Sequence, residues 1–254
     1  MFDSHCHLTD ISEPENVLSQ ARGVGVTSVL CCGYNATSNA AVAALRNRVG
    51  RLPIALGLHP WYVDEPIEPV LSLIETLCPV AIGECGLDGY DRDPEIPPIE
   101  RQLAAFEAQL ELAARLDLPV TVHSRQAVNI VIAVTAHFPS VRGVLHAYSG
   151  SYEQARPLLE RGWMIGIGGG STRPAARRIR RMAERLALTE FLFETDAPAI
   201  GLEGVSPPWV RPHHILHVAR AFSELRDLDY DQVVVQSDQN ADRMFGPTIW
   251  SGVT

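Results

Sequence analysis

Short apolar, β-branched runs alternate along the chain with longer stretches whose apolar residues recur every three to four positions. Eight such runs occur, at 1–7, 27–33, 54–59, 80–87, 119–123, 142–148, 163–169 and 191–196, and each is predicted to be a strand. Over 98–117, Ile99, Leu103, Phe106, Leu110, Ala113 and Ala114 share one face, which predicts a helix. Strict alternation of this kind predicts a parallel sheet with helical crossovers. A doubly wound open sheet has the same alternation, but eight strands with polar residues gathered at their ends favour a single closed (β/α)8 TIM-type barrel. Two closing helices are expected over 211–246, and the Pro-rich stretches at 94–98 and 205–212 are expected to be loops. Nothing reads as a linker, so one domain spanning 1–254 is expected.

The polar residues at the strand ends change the picture from scaffold to site, because a barrel carries its chemistry at the C-terminal ends of its strands. The relevant ends are Asp3-Ser4-His5-Cys6-His7, Gly57-Leu58-His59-Pro60, Gly83-Glu84-Cys85-Gly86-Leu87-Asp88, His123-Ser124-Arg125, His146-Ala147-Tyr148-Ser149-Gly150 and Glu194-Thr195-Asp196-Ala197-Pro198. Alternation along a strand points His5 and His7 one way and Cys6 the other. If that way is the barrel axis, His5 and His7 meet His123, His146, Glu84 and Asp196, four imidazoles and two carboxylates around one cavity. Each alone would more often be a hydrogen-bonded packing residue than a ligand. Gathered together, they would be costly unless paired or bound to metal. The set can hold two divalent ions with one carboxylate bridging, and its mix of imidazole and carboxylate suits Zn, Mn, Ni or Co better than Ca, with Mg as a further candidate.

Composition narrows the chemistry. All 21 basic residues are Arg, so a lysine Schiff base and a carbamylated lysine between two metals are both excluded. The net charge of −9 argues against wide wrapping of nucleic acid, although a local site can still be positive. Five cysteines with no C-x-x-C suggest reduced thiols. No apolar run approaches a membrane span, and the first residues lack the basic and apolar regions of a signal peptide, so a cytoplasmic protein is expected. The tail at 250–254 offers no apolar stripe for an interface; a monomer without an obligate protein partner is expected.

The motifs D-S-H-C-H at 3–7, G-L-H-P at 57–60, G-E-C-G-L-D at 83–88, P-V-T-V-H-S-R at 119–125, H-A-Y-S-G-S at 146–151, E-T-D-A-P at 194–198 and N-A-D-R-M-F-G at 240–246 resemble those of the TatD-family hydrolases, the TatD-related DNases. The resemblance covers nearly the whole chain. It implies a barrel with two metals, one held by His5, His7 and Asp196, the other by His123 and His146, with Glu84 bridging. It also implies metal-dependent hydrolysis of DNA. The loop Gly204-Val205-Ser206-Pro207-Pro208-Trp209-Val210-Arg211-Pro212 departs from the basic Asn-Glu-Pro stretch of many members. Arg211-Pro212 matches part of the Asn-Arg-Pro form of the YjjV-like branch, with Val210 in place of Asn.

On this reading a water bridging the two ions attacks a phosphodiester in DNA or a smaller ester, with Glu84 and Asp196 catalytic and Asp196 the candidate base. His59 is expected at the substrate phosphate or leaving oxygen, with Arg125 and Tyr148 as further substrate contacts. The blander roles are a cap before Pro60 for His59 and a salt bridge for Arg125. Arg173, Arg177, Arg178, Arg180, Arg181 and Arg185 read as a solvated helix face, with steering of a nucleic-acid strand as the alternative. Gly168-Gly169-Gly170 is expected to leave loop room near the site. The competing functions are a binuclear hydrolase of a small amide, lactone, phosphate ester or deaminated base, and a non-catalytic metal-binding barrel.

Overall fold

A computed structural model describes residues 1–90 and 92–250. Residues 251–254, part of the tail from which a monomer was argued, lie outside the described residues. Eight strands are present: β1 (Phe2–Cys6), β2 (Ser28–Cys32), β3 (Ile54–Leu56), β4 (Ala81–Gly86), β5 (Val120–His123), β6 (Gly143–Leu145), β7 (Met164–Ile167) and β8 (Phe191–Phe193). They pair in parallel in sequence order. The barrel closes through the chain just beyond β8, where Asp196 N donates to His5 O (2.9 Å) and His7 N donates to Ala197 O (2.8 Å).

The helices are α1 (Pro14–Gly23), α2 (Ala36–Val49), α3 (Glu68–Leu77), α4 (Ile99–Leu116), α5 (Val128–Thr135), α6 (Tyr152–Leu159), α7 (Arg177–Arg185), α8 (Ile215–Arg226) and α9 (Tyr230–Phe245). Helix α4 occupies the predicted 98–117 stretch, and α8 and α9 fill the predicted closing region. None of the helices among the described residues is long and apolar enough to cross a membrane.

Strand parity sorts the core in two. Val29, Cys31, Val120, Val122, Ile165, Phe191 and Phe193 pack outward against the helices. Their neighbours Leu30, Ala55, Ala81, Val144, Met164 and Leu192 fill the barrel interior together with Phe2 and the end of α9, Met244 and Phe245. Above that apolar floor the inward positions become His, Glu and Asp. The register of β1 shifts between Asp3 and Cys6, and that of β4 between Ile82 and Cys85. Those irregularities fall where His5 and Glu84 must be turned into the axis.

Candidate metal centre and its cavity

His5, His7, Glu84, His123, His146 and Asp196 are brought together at the C-terminal mouth of the barrel, all but His123 below 7% exposed. The Glu84 carboxylate lies between two sets of imidazoles. Its Oε2 is 3.4 Å from His5 Nε2 and 3.3 Å from His7 Nε2. Its Oε1 is 3.2 Å from His123 Nδ1, 3.3 Å from His59 Nε2 and 3.6 Å from His146 Nε2. Asp196 Oδ1 sits 3.3 Å from His7 Nε2 and 3.8 Å from His5 Nε2. His146 stands between the sets, since its Nε2 is also 4.0 Å from Asp196 Oδ2. Donor atoms thus group as His5, His7 and Glu84, as His5, His146 and Asp196, and as His59, Glu84 and His123.

The far nitrogens of His5, His7 and His123 are held from outside. His7 Nδ1 is 3.0 Å from Cys32 O, an acceptor, so the proton sits there and the Nε2 lone pair faces the cavity. His123 Nε2 is 3.0 Å from Asp88 Oδ2, which leaves Nδ1 toward Glu84. His5 Nδ1 meets Thr121 Oγ1 at 3.0 Å. His146 Nδ1 lies 3.2 Å from Glu194 Oε1 without a hydrogen bond between them. Glu194 Oε1 instead accepts from Ala147 N at 2.6 Å. Gly166 is required beneath it, because a Cβ there would fall on the Glu194 carboxylate. Asp88 and Glu194 stand in the motifs with no role assigned from the sequence; the signal is their place four residues from Glu84 and two from Asp196 at the strand ends. His59 is the exception in tautomer. Its Nδ1 accepts from Trp61 N at 3.2 Å, which places the proton of the neutral ring on Nε2, facing Glu84 and the cavity.

The electrostatics show what the cluster lacks. Burial alone would keep His7 neutral, but the neighbouring carboxylates of Asp196 and Glu84 outweigh it and hold the ring well above the usual histidine range. Burial likewise opposes charge on His146, yet Glu194, Asp196 and Glu84 lift it to about 9. Glu84 is disfavoured as an anion by burial, but the surrounding His59, His146, His123 and His5 drive it well below the carboxylate range. Burial, with His123 nearby, takes His59 down to about 4. Asp196 Oδ1 is buried without a hydrogen-bond partner. Lone pairs of imidazole and carboxylate that converge at 3.3 Å need positive charge between them. Protons supply some of it, and a divalent cation fits the same donors.

The cavity above the cluster measures about 970 Å³. Tyr34, Trp61 and Tyr62 line one side, and Arg173 and Arg178 line another. Arg125 makes the salt bridge, Nε donating to Asp88 Oδ1 at 3.0 Å, while its guanidinium lies 4.1 Å over the Tyr90 ring. Tyr148 lines the cavity but its hydroxyl donates to Ser151 O at 3.0 Å. The arginine run is split: Arg180 donates to Ser171 O (3.2 Å) and Arg185 pairs with Glu153, whereas Arg173 and Arg178 reach the cavity. Gly168, Gly169 and Gly170 do border it. In the atypical loop, Val210 is buried and Arg211 Nη1 donates to Pro208 O (2.7 Å) and Val210 O (2.8 Å), so that arginine braces its own loop.

Comparison with known proteins gives one reading. The family model described as TatD related DNase matches residues 2–246. The chain is 34% identical over 242 residues to the uncharacterized metal-dependent hydrolase YjjV of Escherichia coli strain K12, covering 91% of this chain and 92% of that protein. It is 32% identical over 268 residues to the 3'-5' ssDNA/RNA exonuclease TatD of Citrobacter rodentium, covering 99% of this chain and 100% of that one. The crystal structure of the Escherichia coli K12 YjjV, a TatD homologue, superposes with a TM-score of 0.88 at 32% identity, over 96% of this chain and 97% of the other.

Proposed function

Because the chain belongs to the TatD-related DNase family of metal-dependent hydrolases, we propose that it cleaves phosphodiester bonds of single-stranded DNA at two divalent metal sites that share Glu84. The observation that carries this reading is the division of the Glu84 carboxylate, with Oε2 toward His5 and His7 and Oε1 toward His123 and His146. Asp196 completes the first site. Divalent ions held there supply Lewis-acid activation of water and neutralise charge on the phosphoryl oxygens.

The remaining work falls to the protein. Asp196, with Oδ1 free of hydrogen bonds, is the carboxylate placed to take a proton from the attacking water. His59, neutral and carrying its proton on Nε2, donates to a phosphate or leaving oxygen that enters beside Glu84 Oε1. Asp88 keeps the His123 ring in the tautomer that turns Nδ1 inward, and Glu194 places its negative charge 3.2 Å from His146 Nδ1. The same reading takes the chain as one catalytic domain, since the family match runs through all eight strands and both closing helices.

The test measures metal content together with cleavage of single-stranded DNA, for wild type and Glu84→Ala, each stripped and reloaded with Mg, Mn or Zn. We expect about two ions and cleavage in the wild type, and loss of both in the variant. Metal binding without DNA cleavage under any loading would transfer the reading to a small ester or amide substrate.

A further inference from the structure

Trp61 presents an indole at the cavity rim that is 45% exposed. A tryptophan in water is ordinarily free to turn; this one is held at two points. Its Nε1 donates to Asp88 Oδ2 at 2.8 Å, and its ring meets that of His59 edge to face, with centroids 4.8 Å apart and planes at 83°. The Asp88 carboxylate that anchors it also accepts from Arg125 Nε and Tyr90 N and sits 3.0 Å from His123 Nε2. The indole is therefore fixed by the group that orients a proposed metal ligand, its centroid 6.2 Å from that of His123. Trp209 is more exposed, at 68%, but does not line the cavity.

A rigid, exposed aromatic face with its polar atom already satisfied has little entropy left to lose, and it suits a planar ligand that stacks. On the page that ligand is constrained from both ends: a phosphate belongs at the imidazole and carboxylate cluster, and two arginines, Arg173 and Arg178, stand on another side of the cavity for further anionic groups. We infer that Trp61 is a base-stacking platform, which seats the nucleobase of the nucleotide whose phosphate lies at the metal centre. The inference rests on the phosphodiesterase reading and supplies a physical reason for its single-stranded substrate, since a base paired and stacked within a duplex cannot offer its face to the indole. The selectivity is for the presence of a base rather than for its identity, because every base has a π face.

The experiment compares an oligothymidylate with an abasic chain of the same length and phosphate content, on wild type, Trp61→Ala and Trp61→Phe. Dissociation constants are taken from fluorescence anisotropy on metal-free protein, and kcat and KM at matched metal content. Wild type is expected to bind and cleave the base-bearing strand roughly tenfold better, with the preference carried by KM. In Trp61→Ala the preference falls toward unity, whereas Trp61→Phe, which keeps a stacking face but loses the N–H to Asp88, retains most of it. A change that merely disturbed Asp88 would lower kcat on both strands in both variants and leave the preference intact, and that result overturns the inference. Equal cleavage of the two strands by wild type also removes the platform while the nuclease reading stands. Cleavage of neither strand by metal-loaded wild type brings down the nuclease reading and the platform with it.

Discussion

In the proposed metal site, a proton and a metal ion compete for the same nitrogen of His146. Burial disfavours charge there, but Glu194, Asp196 and Glu84 raise the ring to about 9, above its unfolded value near 6.5. A folded pKa raised in this way adds stability to the metal-free protein that is complete below about pH 6.5 and is lost as pH rises through about 9. Metal uptake needs the neutral ring, so at pH 7.5 it should release at least one proton, and affinity should rise with pH. Calorimetric titration in buffers of different ionisation enthalpy measures that release, and heats independent of buffer would refute it. His5, His7, Glu84, His123, His146 and Asp196 were legible in the sequence because strand parity and polarity put ionisable groups on one inward row. The supports were not. Asp88 acts on His123 across 35 residues and Glu194 on His146 across 48, distances in sequence that only the closed barrel cancels.

Helix α4 shows the limit of periodicity at the scale of an element. Its apolar face was legible except at Ala114, which is exposed, and Gln102 and Gln109 lie on that face too, both fully buried, which their polarity hid. They replace strand neighbours where the ladder has ended. Gln109 Oε1 accepts from Leu58 N (2.8 Å) and its Nε2 donates to Leu58 O (3.1 Å), while Gln102 does the same for Asp88, at 2.7 and 3.0 Å. The loops carrying His59 and Asp88 are thus paired to a helix. All eight strands are also shorter than their apolar runs, as with Ile54–Leu56 inside 54–59, because the chain turns toward the cavity once ligand positions begin. Gly57 marks such a turn: a Cβ there would lie 2.7 Å from Gly83 Cα. Gln109→Leu would leave the Leu58 N–H and C=O buried and unpaired, at about 1–3 kcal/mol each, and should lower Tm by roughly 5–15 °C. Glu107→Leu, on the exposed face of the same helix, should change stability by no more than about 0.5 kcal/mol. Equal shifts in the two variants would deny the glutamine this role.

The whole molecule separates its stability from its chemistry along the barrel axis. The strand ends opposite the cavity are sealed by α9, whose Met244 and Phe245 join Phe2, Leu30, Met164 and Leu192 in the barrel floor, with the Phe2 and Phe245 rings 5.8 Å apart. Polar links fasten the same end: Phe2 N donates to Asp238 Oδ1 at 2.9 Å, and Ser28 Oγ donates to Ile249 O at 2.6 Å. The closing helices were legible from the tail's apolar spacing; that α9 plugs the floor was not, since helical periodicity says which face is buried and not against what. Removing the Phe245 ring leaves a cavity in a floor with few ways to collapse, at a cost of about 3–5 kcal/mol. Because chemistry in a barrel belongs to the opposite end, Phe245→Ala should lower the urea midpoint while metal content, kcat and KM of the folded fraction stay at wild-type values. A fall in metal content in buffer without denaturant, where the variant is still folded, would mean that floor and mouth are mechanically coupled through the strands.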